Sequence, residues 1–408
     1  MKRNALLAVI TSLVLTTSVF AGCGKKEQAP NNNSTEDKEV VIKLGCWGSS
    51  PAETKLLDDQ IAEFNKEFPK IKVQKEVITN DYNQAMQTRI ASKTEPDVFY
   101  LDVSLAPAYM EKATAPIDEY LDKEDLKDFN ENLLKGFQKD GKTYGLPKDY
   151  NSLAIFYNQE MLDKAGVKPP STWTELEEAS KKLTKDGVKA LALADDSARF
   201  VPFIFQAGGK VMDGEKIAFN TLEAAKALDF YYSFVKNGQA ADPKSLGEGW
   251  NGDALAHKKV AMVIEGGWMI PFMKESAPDV KYGISALPKG EQTGNLAFTV
   301  AYAMSKNTKN PKQSAELIKF LTGKKAQEMT ADSGLAIPTR KSMADVYTSK
   351  YPERAALVEG AKGAEVFCYG EKHAKIQDAL AKAGEKLRLN KLPDGKAALE
   401  DAEKASMQ

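Results

Sequence analysis

Two glycine patterns and one carboxylate are the places where residue types and spacing in this chain could do chemistry. Gly136-Phe137-Gln138-Lys139-Asp140-Gly141-Lys142-Thr143 has the spelling of a phosphate-binding loop, in which backbone N–H groups and a helix N-terminus cradle the phosphates. That chemistry needs a strand before the loop and a helix after it. Here residues 129–137 read as helix or loop, and Tyr144-Gly145-Leu146-Pro147 blocks a following helix. The stretch is therefore expected to be a turn at Asp140-Gly141 joining two short strands. Gly247, Gly249 and Gly252 have the spacing of a dinucleotide fingerprint, but Asp242-Pro243-Lys244-Ser245 reads as loop rather than strand, so that match is expected to be accidental. Glu265 ends the apolar run Val260–Ile264. It could serve as a carboxyl group of raised pKa in glycoside hydrolysis, or as an acceptor for the hydroxyls of a bound ligand.

Other catalytic classes find no residues. There is no Gly-x-Ser-x-Gly elbow, and His257 and His373 are the only histidines. The cysteines are Cys23, Cys46 and Cys368, without a Cys-x-x-Cys pair, so no metal site and no cofactor is expected. Cys46 and Cys368 could be two buried thiols or a disulfide, and the spacing does not choose. The formal charge is −1, falling by two to −3 without Lys2 and Arg3, with both signs interspersed. Nucleic acid is excluded as a partner on that balance.

The elements that must position any site alternate in period. Val40-Val41-Ile42-Lys43-Leu44 is rich in strand formers; Leu57, Ile61, Phe64 and Phe68 then recur at helical spacing until Pro69, and Ile71-Lys72-Val73 begins another strand. Further apolar runs lie at Pro96–Leu101, Leu153–Tyr157, Ala190–Leu193 and Val260–Ile264. This alternation predicts an α/β fold with covered sheets. The roughly 370 residues of the body exceed what one core usually serves, which predicts two lobes.

The N-terminus fixes the expected compartment. Lys2 and Arg3, the apolar run Ala5–Val19 and Ala21-Gly22-Cys23 resemble a bacterial lipoprotein signal over residues 1–22, with Cys23 as the lipidated residue. Phe20 departs from the usual aliphatic residue before the small pair. Residues 23–39 carry no aliphatic pair able to nucleate a core and are expected to be a flexible tether. The body is expected outside the cytoplasm, tied through lipid to the outer face of a membrane.

The centre of the chain carries a resemblance. Tyr144–Pro147, Leu153–Asn158 and the long segment Met161–Leu176, with Lys168-Pro169-Pro170-Ser171-Thr172-Trp173 inside it, closely resemble the signature of family 1 extracellular solute-binding proteins of bacterial ABC sugar importers. Pro96-Asp97-Val98, Ala261–Trp268, Ala303–Asn307 and Gly334–Arg340 follow in the family's order, so the resemblance covers essentially the whole body. It departs before Ala303, where Phe298–Tyr302 stands in place of a frequent glycine pair. Within the segment, Thr172 with Glu175 forms a capping box ahead of Leu176, Ala179 and Leu183 on one helix face. Trp173 is accordingly expected to pack rather than to touch ligand.

The resemblance, which extends to maltodextrin-binding proteins, implies a two-lobed periplasmic-binding-protein fold of type II with a ligand cleft between the lobes. The expected lobes are 40–148 plus 290–337 and 149–289 plus 338–408, joined near Lys148–Ser152, Leu287–Asn295 and Pro338. It implies a monomer that takes up a sugar, most simply an oligosaccharide, by hinge closure and presents it to the transmembrane subunits of an ABC permease. Sugar hydroxyls require polar side chains, and the C–H faces of the rings require aromatic ones. On that requirement the expected contacts are Trp47, Tyr82, Asp102, Asp149, Tyr150, Trp250, Glu265, Trp268, Tyr302 and Arg340. A surface glycoside hydrolase with paired carboxylates is the competing reading.

The anchor is tested by Cys23→Ser, which is expected to abolish lipid labelling and to leave the product unprocessed or shed into the medium. A mutant that stays lipid-labelled and cell-bound removes the lipoprotein reading.

Overall fold

Strand-forming runs and amphipathic helices alternate from the first residue of the body, in a computed structural model that describes residues 39–407, Ser49 and Asn80 excepted. The signal segment, Cys23 and the tether up to residue 38 lie outside the described residues. Strands β1 (Val40–Trp47) and β2 (Ile71–Ile78) pair in parallel across the helix Pro51–Glu67. That helix starts where Ser50 Oγ accepts the Glu53 N–H at 3.2 Å, and it buries Leu57, Ile61 and Phe64. Strand β3 (Val98–Asp102) lies parallel to β1 on its other side.

Strands β4 (Gln138–Lys139) and β5 (Lys142–Thr143) form a hairpin whose two turn residues, Asp140 and Gly141, have φ of 50° and 72°. Paired left-handed residues are what a tight two-residue hairpin turn demands. The apparent phosphate loop is that turn, with no helix after it. The second glycine match also has a packing reason: Gly252 sits beneath the Trp250 ring, where a Cβ would lie 2.2 Å from the indole.

Strand β6 (Gly145–Asn158) is the longest, and at about 3.3 Å per residue it serves two halves of the molecule. The remaining strands are β7 (Lys189–Ala192), the hairpin β8 (Met212–Asp213) and β9 (Lys216–Ile217), β10 (Ala240–Ala241), β11 (Val260–Gly266), β12 (Tyr282–Ser285), β13 (Leu296–Met304) and β14 (Glu365–Val366). One sheet runs in the order β10-β7-β11-β6-β13-β3-β1-β2, with β12 on β6 and β14 on β13. The first half of β6 pairs with β13, from Gly145↔Ala303 to Ser152↔Ala297. Its second half pairs with β11, from Leu153↔Gly266 to Tyr157↔Met262, and with β12. The backbone thus crosses from one half of the sheet to the other along β6, and returns between β12 and β13. A third crossing follows the helices Pro311–Leu321 and Lys324–Ser333, where Tyr150 and Ile337 exchange backbone hydrogen bonds of 3.0 and 3.2 Å.

Each half has its own core. Ile42, Leu44, Phe64, Val98, Leu317 and Ile318 pack in the first, while Ile155, Leu176, Leu191, Phe200, Ile264 and Leu380 pack in the second. The segment after β14 touches both. Val366 and Cys368 pack with Phe99, Leu101 and Val103 of the first half, whereas Tyr369 joins the second. Cys46 and Cys368 are both free thiols, and burial raises the pKa of each.

Trp173 is a packing residue, as its place at a helix start predicts. Its ring stacks on Phe230 with centroids 4.1 Å apart, and its indole N–H donates to Gln206 Oε1 at 2.7 Å. Thr172 Oγ1 caps the helix by accepting from the Glu175 N–H, while the Glu175 carboxylate reaches back to Ser171 rather than to Thr172. Trp173→Ala is expected to lower the free energy of unfolding by about 3 kcal/mol, read from urea denaturation, while ligand affinity stays within about twofold.

Candidate functional site

Buried at the end of β11, the Glu265 carboxylate is 1% exposed and accepts four hydrogen bonds. Arg199 donates to both oxygens, Nε at 3.1 Å and Nη2 at 2.8 Å; Asn251 Nδ2 donates to Oε1 at 2.9 Å and Trp268 Nε1 to Oε2 at 2.8 Å. A buried carboxylate is stable only when so matched. Arg199 lies in the first turn of the helix Ser197–Gln206, capped by Asp196, whose carboxylate also takes the Arg199 Nη1 at 3.1 Å. The Arg199 guanidinium stands 5.5 Å from the Trp268 ring. Glu265 therefore does not stand free to accept ligand hydroxyls. It fixes the orientation of Arg199, Asn251 and Trp268.

The turn after β11 brings this array against β6 and β13. Trp268 folds back over Gly266, where a Cβ would lie 2.3 Å from the indole, and Gly267 abuts Asn151 of β6 so closely that a Cβ would lie 2.3 Å from Oδ1. Trp268 also meets Phe298 of β13 edge-on at 5.6 Å, and Phe298 in turn meets Phe367 at 5.2 Å. Register places Asp102, Val300 and Asp149 in a row across β3, β13 and β6. Asp102 Oδ1 accepts the Ser104 N–H at 2.8 Å.

Trp47 belongs to a second group in the first half. It packs edge-on against Tyr82 at 5.3 Å and Tyr100 at 4.9 Å, and Tyr82 Oη donates to the Tyr100 backbone oxygen at 2.9 Å. Trp47, Tyr302, Lys148 and Asp149 border a narrow cavity of about 40 Å³. Lys148 is paired with Asp149, and its ammonium stands 5.0 Å from the Tyr100 ring. Burial works against the ammonium, but the neighbouring Asp149 outweighs it and holds the Lys148 pKa above the ordinary lysine range. Trp250 borders a larger cavity of about 450 Å³ that also reaches Arg199, Asn251 and Glu265.

Two expected contacts, Tyr150 and Arg340, lie elsewhere, and a third, Tyr302, borders the Trp47 cavity only as a buried wall. Tyr150 is buried in the core with Ile337 and Tyr347, because neighbouring strand residues point to opposite faces and Asp149 takes the other one. Tyr302 is 2% exposed and edge-on to Tyr100, a wall of the first core rather than an open surface. Arg340 is 2% exposed: both Nη atoms donate to Asp125 at 2.7 Å, Nε donates to the Thr322 oxygen at 2.7 Å, and the Phe129 ring is 4.5 Å away. It ties the third crossing to the first half of the molecule. Asp196, Arg199, Asn251, Asn151 and Phe298 are the residues that sequence reasoning missed. The Asp-Ser-Ala-Arg helix start after β7 was the signal available for the first two.

Among the described residues no three or more His, Cys, Asp or Glu side chains are arranged to hold a metal, and no helix is long and apolar enough to cross a membrane. The chain is similar to a galactooligosaccharide-binding protein of Bacillus subtilis, 26% identical over 346 residues that cover 80% of this chain and 78% of that protein. It is also similar to a multiple sugar-binding protein of Streptococcus mutans, 24% identical over 354 residues that cover 81% of each. An ABC substrate-binding protein from Listeria monocytogenes, solved in complex with cycloalternan, shares the fold with a TM-score of 0.81 and 25% identity, covering 91% of this chain and 98% of its own. The architecture is accordingly the two-lobed α/β fold of such receptors. Residues 59–357, well over half of the chain, match the family described as bacterial extracellular solute-binding protein, and the chain belongs to that family.

Proposed function

We propose that this protein is a lipid-anchored extracytoplasmic receptor that captures a sugar, most simply an oligosaccharide, between its lobes and delivers it to the permease of an ABC importer. The observation that carries the reading is the array built on Glu265. It presents a cationic guanidinium, a carboxamide and an indole face at the hinge strands, which is what a ring with hydroxyls on its edge and C–H groups on its face requires. The sugar-binding relatives support the same ligand class.

Trp47 and Trp268 sit in separate groups, one in each half, with Asp149 and Asn151 of β6 between them. Closure about the crossings at β6, β12–β13 and Ile337 is the motion that would bring them onto one ligand. In this scheme residues 40–148 plus 290–337 and residues 149–289 plus 338–408 move as the two bodies. Hydrolysis fits the array poorly. A general acid must hand over a proton, and both Glu265 oxygens serve as acceptors for neighbouring donors.

A thermal-shift screen over mono- and oligosaccharides is expected to identify the ligand, because one at about 100-fold its Kd adds about 2.7 kcal/mol to stability. With that ligand, Trp268→Ala and Trp47→Ala are each expected to weaken binding by about 1–3 kcal/mol in titration calorimetry. Unchanged affinity in both would remove the site assignment. Small-angle scattering is expected to show a smaller radius of gyration with ligand than without. Tight binding without compaction would remove hinge closure, and shortening of the oligosaccharide during incubation would restore the hydrolase.

A further inference from the structure

Asn251 is 2% exposed and has a divided carboxamide. Its Nδ2 donates to Glu265 Oε1 at 2.9 Å; a carboxylate can face only the amide N–H, so the carbonyl Oδ1 must point the other way. That Oδ1 is buried and meets no donor among the described residues. Asn251 borders the cavity of about 450 Å³ between the ends of β7, β10 and β11, a volume suited to a small ligand. A buried acceptor without a donor is destabilising, a loss that a ligand supplying one would recover.

The charges around the cavity narrow what the donor can be. Asp195, Asp196, Asp242, Glu265 and Glu385 border it, against Arg199, Arg388 and the exposed Lys244. Both arginines are already matched. Arg388 pairs with Asp195 at 2.7 Å and Asp242 at 3.1 Å, and Arg199 with Glu265 at 2.8 Å and Asp196 at 3.1 Å. An anionic group would meet an excess of carboxylates with no guanidinium free to neutralise it. Of the five N–H groups of Arg199, three are engaged by Glu265 and Asp196, which leaves two able to donate to a ligand. An ammonium could satisfy Asn251 but not Arg199. A hydroxyl donates to the one and accepts from the other.

We infer that this cavity is a subsite for an uncharged, hydroxyl-bearing ring and discriminates against uronates and phosphorylated sugars, with Asn251 Oδ1 accepting a ligand hydroxyl proton and Arg199 donating to a ligand hydroxyl oxygen. The inference rests on the sugar-receptor reading and specifies which sugars it admits. It is tested on the mature wild-type chain with neutral malto-, galacto- and arabino-oligosaccharides against oligogalacturonate and sugar phosphates, first by thermal shift and then by titration calorimetry. The expected result is binding of at least one neutral oligosaccharide, with every anionic probe at least about 30-fold weaker, the size of an uncompensated charge contact of about 2 kcal/mol.

Asn251→Ala is then expected to weaken the bound neutral sugar about 10-fold to 100-fold, with the melting temperature of the unliganded variant recorded alongside. An anionic sugar that binds as tightly as the neutral one overturns the selectivity while leaving the receptor reading in place. Asn251→Ala that lowers the melting temperature without changing affinity assigns the residue a structural role and overturns its part in the subsite. No response to any sugar overturns the receptor reading and this inference with it. The comparison of neutral and anionic probes needs no variant, so it decides the selectivity even if Asn251→Ala does not fold.

Discussion

A carboxylate taken out of water must be matched by donors or it destabilises the fold by several kcal/mol, and the site of this protein is arranged around that constraint at Glu265. Its four hydrogen bonds come from Trp268, three residues on, from Asn251, 14 residues before, and from the start of the helix Ser197–Gln206, 66 residues before. Because all four are needed, the orientation of each donor follows. Arg199 is held edge-on to the carboxylate with its remaining N–H groups outward, the Trp268 indole is fixed by its N–H, and the Asn251 carbonyl is turned away. Removing the carboxylate would leave Arg199 buried with only Asp196 as counter-charge.

The same constraint explains two glycines. For its N–H to reach back to Glu265, three residues earlier, Trp268 must lie over the backbone at Gly266, and only a residue without Cβ leaves that space. Gly267 lets the turn approach Asn151 on β6. Since Gly266 pairs with Leu153 while Phe298, paired with Asn151, touches Trp268, the array is attached to β6, the strand that both halves of the sheet share, and to its neighbour β13.

Other charged pairs do structural work and were open to misreading from the chain. Arg340 follows a proline in a segment whose family likeness points to a cleft, yet its guanidinium is enclosed by Asp125, Asp128, the Thr322 oxygen and the Phe129 ring. The Asp128 carboxyl is held below the usual aspartate range: burial opposes this, but donors from Ser342 and Arg340 outweigh it. Tyr150, next to the Asp149 that pairs with Lys148, was lost to the core by the alternation of a strand.

Periodicity was sufficient for part of the fold. The runs beginning at Val40, Ile71, Pro96, Leu153, Ala190 and Val260 all contain strand, and the turn at Asp140-Gly141 follows from local backbone preference alone, whereas β13 and the first half of β6, which pair with each other, were not read as strands. Residue chemistry likewise singled out Glu265, Trp268 and Asp149 as candidates, the first two at the end of a strand and the third at a crossing. The roles were not legible in the same way. Whether Glu265 faces a ligand or a guanidinium depends on Arg199, 66 residues away in sequence, and that pairing exists only once β7 and β11 lie side by side. Asn251 carried no sequence signal at all, since its importance comes from the direction in which a distant carboxylate turns its carbonyl. The sequence by itself determined the leading strands, the helices after Ser50 and Thr172 and the residues that could do chemistry, which are matters of period and side-chain type. The tertiary structure decided which charges neutralise one another and which polar atoms are left for a ligand, because burial and long-range pairing are properties of the assembled sheet.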